Sequence, residues 1–430
     1  MRDIIVAGII FGSIPFIVRR PYIGVLMWTW LSFMNPHRMT WGFAFDMPFA
    51  QIVAVATLAG LLFTREPKKL AWTGETALLL LFAGWMLLTT IFAVYPAEAW
   101  PQLEKVAKIL LMVFVAMMVM RSKERINLLI SVMILSLAFF GVKGGVFTIL
   151  SGGVYHVWGP TGSFIEGNNE MALALVMTIP LLRYLQLIST KAWQRHGLTL
   201  AMMLTALAVV GSQSRGAFLG IIAMGAFFWL KSSSKGFTGA LTVIAVVLVL
   251  AIMPQQWFDR MRSIENYQQD ASALGRLNAW RMAANLAVQR PLGGGFEAFQ
   301  AEMFAAYSPE PGRVHDAHSI YFEVLGEHGY VGLALFLLLG LMTWRSAAAI
   351  ARRCRGDPEK QWAAHLATMI QVSLVGYASA GAFLGLAYFD YYYTLVAVVI
   401  LLKTLLLKEA PDAATARAPL QAGASPQRAG

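Results

Sequence analysis

Residues 315–319 read HDAHS, and histidine is the side chain best suited to take up a proton near neutral pH. His315 and His318 flank Asp316 and Ala317. Standing alone, the run fits a helix cap or an interface histidine as well as a catalytic base. Zinc sites on helices usually set two histidines four apart with a glutamate, and that pattern is absent here, so no metal is assigned. Arginine supplies the second kind of chemistry. The stretch 254–318 is the only long hydrophilic run in the chain, and its basic residues are Arg260, Arg262, Arg276, Arg281, Arg290 and Arg313, with no lysine. A guanidinium offers a planar fork that matches phosphate oxygens in bidentate fashion. The same stretch also holds Asp259, Glu265, Asp270, Glu297, Glu302, Glu310 and Asp316. It is therefore not a bulk cationic patch, and an anion site within it must be local.

Arg276 lies in GRLNAWR, residues 275–281, where helical spacing puts it on one face with Trp280; spacing alone fits a plain surface residue, and the loop's choice of Arg over Lys is what marks it. Arg215 lies in GSQSRGAFLG, residues 211–220, a tight turn between two apolar runs. A guanidinium at the end of a membrane span must face water, headgroups or a protein cavity. A plain alternative is an arginine that snorkels to the interface. Ser212, Gln213 and Ser214 add polarity that snorkelling does not require. Glu166, Asn168, Asn169 and Glu170 crowd the start of another apolar run, with Asn168 placed to cap a helix and Asn169 and Glu170 inside its first turn. No Walker loop, dinucleotide glycine fingerprint, serine-hydrolase elbow or CxxC pair is present, and PLGGG at 291–295 lacks the Lys-Ser/Thr of a phosphate loop. Nothing calls for a nucleotide or another cofactor, so energy must come from the substrate or from an ion gradient.

The elements that hold these residues are membrane helices. The chain has 430 residues, 58% hydrophobic and 13% charged, about half the charged share of a soluble domain. Apolar segments of spanning length recur, which predicts an all-α polytopic integral membrane protein with about twelve transmembrane helices. A β-barrel would show short alternating segments instead. Residues 1–253 and 319–408 carry the spans, 254–318 form one large, partly helical outer loop, and 409–430 read as a low-complexity, disordered cytoplasmic tail. Clusters of Lys and Arg at alternate junctions place those loops inside and the loops bearing the polar constellations outside. The net charge of +11 sits mostly in these short loops, so it reports topology and contact with anionic lipid rather than nucleic acid. The one cysteine, Cys354, falls in a basic inner loop. A transporter would carry charges inside its spans and paired broken helices in two related halves. Span-centre charges are scarce, Lys143 being the main exception, with a structural or cavity-lining role expected of it.

Together these stretches resemble the O-antigen ligase and polymerase superfamily. SQSRGAFLG looks like its Ser-x-Ser-Arg-Gly turn, and GRLNAW followed by PLGGG looks like the Gly-Arg-x-x-x-Trp helix and glycine-rich break of its large periplasmic loop. AHSIYFEVLGEHGYVGL is similar to its His-Asn-x-(Tyr/Phe)-x-x-x-Leu-x-Glu-x-Gly run, with Ser319 where asparagine is usual. The match covers roughly residues 160–340, in order. The opening RRPYIGVLMWTWLSFMNPHRMTWGFAF also looks like a subgroup associated with exosortase sorting systems and described as O-glycosylation ligases. The resemblance implies a metal-independent, inverting glycosyltransferase of the bacterial inner membrane. It would move a glycan from undecaprenyl diphosphate to lipid A–core at the periplasmic face, in lipopolysaccharide biosynthesis. His318 would be the general base, and Arg215 and Arg276 would hold the diphosphate. His315, Arg313, Asn169, Glu170 and Arg281 are further candidate contacts to diphosphate or acceptor. A polysaccharide polymerase or a protein O-oligosaccharyltransferase would use the same donor, and a lipid-linked glycan transporter is the non-enzyme alternative.

Overall fold

The computed structural model describes residues 1–231, 235, 236, 239, 247, 253–262 and 271–416. Among these residues every regular element is helical. The order is α1 (Arg2–Arg19), α2 (Pro21–Met34), a 3-10 turn (Pro36–Met39), α3 (Phe49–Phe63), α4 (Gly74–Ile91), α5 (Pro96–Val119), α6 (Lys123–Leu150), α7 (Asn168–Ile188), α8 (Ala192–Gly211) and α9 (Arg215–Lys231). Then follow α10 (Gln255–Arg262), α11 (Ala271–Gln289), α12 (Ala301–Tyr307), α13 (Ile320–Arg353), α14 (Gln361–Ala380), a 3-10 turn (Gly381–Phe383) and α15 (Asp390–Ala416). The end of the span-bearing stretch 1–253, from 232 on, falls outside the described residues apart from isolated positions, as do residues 417–430 of the expected tail. The final helix itself runs to Ala416, inside the stretch expected to be disordered.

Among the described residues, five helical stretches are long and apolar enough to cross a membrane: α4, α6, α7, α13, and α14 with its following turn. The protein is a multi-pass, all-helical membrane protein. Helix α7 sits deepest in the bundle, between α8 and α14, and its apolar residues are covered on nearly every side. A helix hydrophobic all round belongs in such a position. Lys143, for which a structural or cavity-lining role is expected, lies on the exposed side of α6.

Helix α13 is broken near its start. Gly329 has φ 65° and ψ −170°, outside any helical region. A Cβ at this position would stand 2.0 Å from the Pro291 carbonyl oxygen, so only glycine fits. The break frees carbonyls from the helical ladder, and the PLGGG segment supplies their donors. Gly294 N–H donates to Gly326 O at 2.9 Å and Gly295 N–H to Glu327 O at 2.8 Å. The indole N–H of Trp85, on α4, donates to His328 O at 2.9 Å. The docked segment is in turn held by Val94 N–H, which donates to Gly294 O at 2.8 Å. Irregular backbone at membrane depth is tolerated only when protein groups meet its polar atoms, because each unmet group costs several kcal/mol in hydrocarbon. The polar 254–318 loop is thus docked by main-chain bonds onto a short helical segment, Ile320–His328, that begins next to His318.

Candidate active site where the outer loop meets α13

Helix α11 builds the site from the loop side. Its buried Asn278 donates to Glu310 O and to Arg313 O, both at 2.9 Å, and accepts from Glu310 N–H at 3.0 Å. Two turns of loop are fixed by one side chain. Trp280 donates its indole N–H to Ala317 O at 2.8 Å and stacks on Phe322 at 4.9 Å and 7°. Gly275 leaves room for the His315 ring: a Cβ there would lie 2.7 Å from the imidazole. The two histidine rings meet edge to face at 5.1 Å. His318 has φ 41°, the left-handed region that costs a non-glycine residue about 1–3 kcal/mol unless its surroundings hold it. The next residue, Ser319, starts α13 through its backbone, accepting Glu323 N–H at 2.8 Å. Its hydroxyl makes no capping bond and is buried without a partner among the described residues.

The electrostatics draw the candidates together. Asp316 receives Ala317 N–H at 2.7 Å on one oxygen and faces His318 Nδ1 at 3.8 Å with the other. Burial lowers the His318 pKa below its ordinary 6.5; Asp316 opposes the shift, while Arg276 and His315 add to it. Arg276 and Asp316 also act on Glu170, on the first turn of α7. Arg276, His318, Asp316 and Glu170 therefore share one electrostatic neighbourhood, though they come from α11, the loop and α7. Asn169 is half-buried beside Glu170.

Arg215 opens α9 after the turn Ser212–Ser214, whose three side chains are buried. Gln213 takes φ 56° and donates to Gly153 O at 3.0 Å. Asn168 does not cap α7. Gly167 occupies the cap, and the Asn168 amide donates to Ser212 O at 2.9 Å, tying the arginine turn to the start of α7. The segment 383–385 stands between this turn and the histidines. A Cβ on Gly216 would lie 2.9 Å from Phe383 Cβ, and one on Gly385 would lie 3.5 Å from Asp316 Oδ2 and 3.8 Å from His318 Cα.

Arg281 is not brought in: it is exposed, while its neighbours Asn278, Ala279 and Met282 are buried against the fold. Arg313 is half-buried and pairs with Glu310 at 3.1 Å. Beyond Asp316 opens a cavity of about 250 Å³ lined by Gln102, Glu297, Phe299, Gln300, Asp316, Glu323 and Glu327. Glu327 accepts from Glu297 N–H at 2.9 Å and from the Tyr388 hydroxyl. Glu323 accepts Ala387 N–H at 3.2 Å. Burial raises the Glu297 pKa, with Lys105 opposing and Asp316 and Glu98 adding to the rise. No group of three or more His, Cys, Asp or Glu among the described residues is arranged to hold a metal ion.

The turn bearing Arg215, the helix bearing Arg276 and the loop bearing His318 thus all border the segment 383–385, α11 through Trp280 and Phe383 at 6.2 Å. Residues 200–337 match the O-antigen ligase family. Residues 1–190 match a family of unknown function (DUF5935). No curated protein matches the chain significantly. The O-antigen ligase segment supports the ligase and polymerase superfamily and contains Arg215, Arg276, His315 and His318. Asn169 and Glu170 fall in the other segment, so the site draws on both. Sequence reasoning missed Asn278, Trp280 as a donor, and the carboxylates Glu297, Glu323 and Glu327. Glu327 stands in the resembling motif, which was the one available signal for it.

Proposed function

We propose that this protein is a glycosyltransferase that ligates a glycan from undecaprenyl diphosphate to lipid A–core at the periplasmic face of the bacterial inner membrane. About twelve spans would hold it there, with 254–318 outside. The carrying observation is that Asp316 and Arg276 both act on His318, and both on Glu170 of α7 as well, within a chain whose residues 200–337 match the O-antigen ligase family. Neutral His318 removes the proton from an acceptor hydroxyl as its oxygen attacks the anomeric carbon. The bond from that carbon to the diphosphate breaks, and the diphosphate leaves on its lipid with the electron pair. Arg215 and Arg276 offset the charge that grows there. Direct displacement inverts the anomeric centre and uses no paired-carboxylate hydrolase chemistry. Phosphate is favoured near the arginines, and the cavity beyond Asp316, lined by Gln102, Gln300, Glu297, Glu323 and Glu327, offers hydrogen-bonding groups to sugar hydroxyls.

The test is transfer by purified protein given undecaprenyl-diphosphate glycan, with and without lipid A–core. Product that requires core is expected. Chain growth from donor alone would reassign the protein as a polymerase, and transfer only to a polypeptide would make it a protein O-oligosaccharyltransferase. His318→Ala should lower turnover by about 10²–10⁴-fold, and Arg215→Ala or Arg276→Ala by about 10²–10³-fold. Near-normal turnover in His318→Ala would remove the general-base role.

A further inference from the structure

We propose that Asn278 and Trp280 are positioning residues for His318, which they hold in the orientation that accepts the proton. The inference rests on the reading of His318 as the base. The left-handed backbone at His318 cannot hold itself, and the residues around it are loop, not helix. What fixes that loop is α11. Trp280 binds the carbonyl of Ala317, the residue immediately before His318, at 2.8 Å. Asn278 binds the carbonyls of Glu310 and Arg313 and the amide of Glu310, so the loop is pinned upstream of the histidine pair as well. Trp280 also reaches past the histidine, because its ring lies flat on Phe322 in the first turn of α13. His318 is thereby braced on both sides by one helix. Arg276, half a turn from Asn278 on the same helix, acts electrostatically on the same imidazole. One rigid element therefore sets both the base and the cation beside it, which is how a site keeps its geometry through turnover. Neither Asn278 nor Trp280 needs to touch substrate for this.

The experiment uses the full-length protein in membranes and three substitutions. Trp280→Phe keeps the stack on Phe322 and removes the donor to Ala317. Asn278→Ala removes the upstream clamp. Asn285→Ala removes a bond of the same chemistry between α11 and α12, Asn285 Nδ2 to Tyr307 O at 2.8 Å, away from the histidines. Turnover is expected to fall at least tenfold in Trp280→Phe and Asn278→Ala with donor KM within twofold, while Asn285→Ala stays within twofold of the parent. Independently of any transfer assay, the rate of His318 carbethoxylation, read by mass spectrometry, should rise in the first two variants and not in the third. Equal losses in all three would reduce the clamp to general loop stability. Unchanged His318 reactivity in Trp280→Phe and Asn278→Ala would overturn the positioning role. If the parent protein transfers no glycan at all, the functional reading fails, and the reactivity comparison still decides the positioning claim.

Discussion

Asp316 and Arg276 pull the basicity of His318 in opposite directions, and this gives the residue scale its sharpest test. A base must be neutral to act, so the acid limb of the rate profile follows the His318 pKa. Burial lowers that pKa, which extends activity to more acidic pH than an ordinary histidine at 6.5 allows. Asp316→Asn removes a group that favours the imidazolium and should shift the acid limb to lower pH. Arg276→Gln removes one that disfavours it and should shift the limb upward, besides slowing the reaction. A limb that moves the other way in either variant would show that His318 is not the group being titrated. The candidates themselves were readable in the sequence, because residue type and motif order carry them. Their partners were not. Asn168 stands where a capping residue would, but its amide is used across space on Ser212 O, and only the tertiary structure brings that carbonyl within reach. Arg281 and Arg276 have the same chemistry, and the five-residue step between them, a net rotation of about 140° around the helix, separates an exposed side chain from one at the site.

At the scale of elements, the broken helix α13 and the docked PLGGG segment stand or fall together. Gly329→Ala would force a Cβ against Pro291 O in a backbone region that disfavours it, at a cost of about 1–3 kcal/mol before the clash is counted. Thermal unfolding in detergent should therefore show a clear loss for Gly329→Ala. Trp85→Phe, which gives up a single bond to His328 O, should lose about 1 kcal/mol. A stable, fully active Gly329→Ala protein would mean that the break is not required. The apolar periods and the glycine-rich break were legible in order along the chain. The break inside α13 was not, since HGY in an apolar run reads as continuous helix. Its cause, a second segment competing for the same carbonyls, lies far away in sequence.

The whole molecule is arranged by which side of the membrane each loop meets. Basic junctions predict that the polar loop and the 345–360 loop lie on opposite faces. Gly312 and Arg355 are both exposed, and Gly312 has nothing within 4 Å of an added Cβ. Gly312→Cys should react with an impermeant maleimide in intact spheroplasts, and Arg355→Cys only after the membrane is opened. The native Cys354 is buried and gives little background. Labelling of both from the same side would invert or collapse the topology on which the periplasmic assignment depends. All-helical, multi-pass organisation followed directly from composition. How the segments matching two different families share a site did not, because Glu170 reaches Arg276 and Asp316 only through the packing of α7 within the bundle.

The break at Gly329 also bears on how the protein is made. Residues 291–295 leave the ribosome before α13 does, so in the proposed topology the donors for Gly326 O and Glu327 O would already be across the membrane when those carbonyls reach it. Synthesis order thus delivers the mould before the casting. A rearranged gene that encoded α13 ahead of the outer loop would present the same carbonyls to lipid with nothing to receive them. Such a permuted chain should be inserted poorly and cleared by membrane proteases, even though its folded state would contain every contact described above.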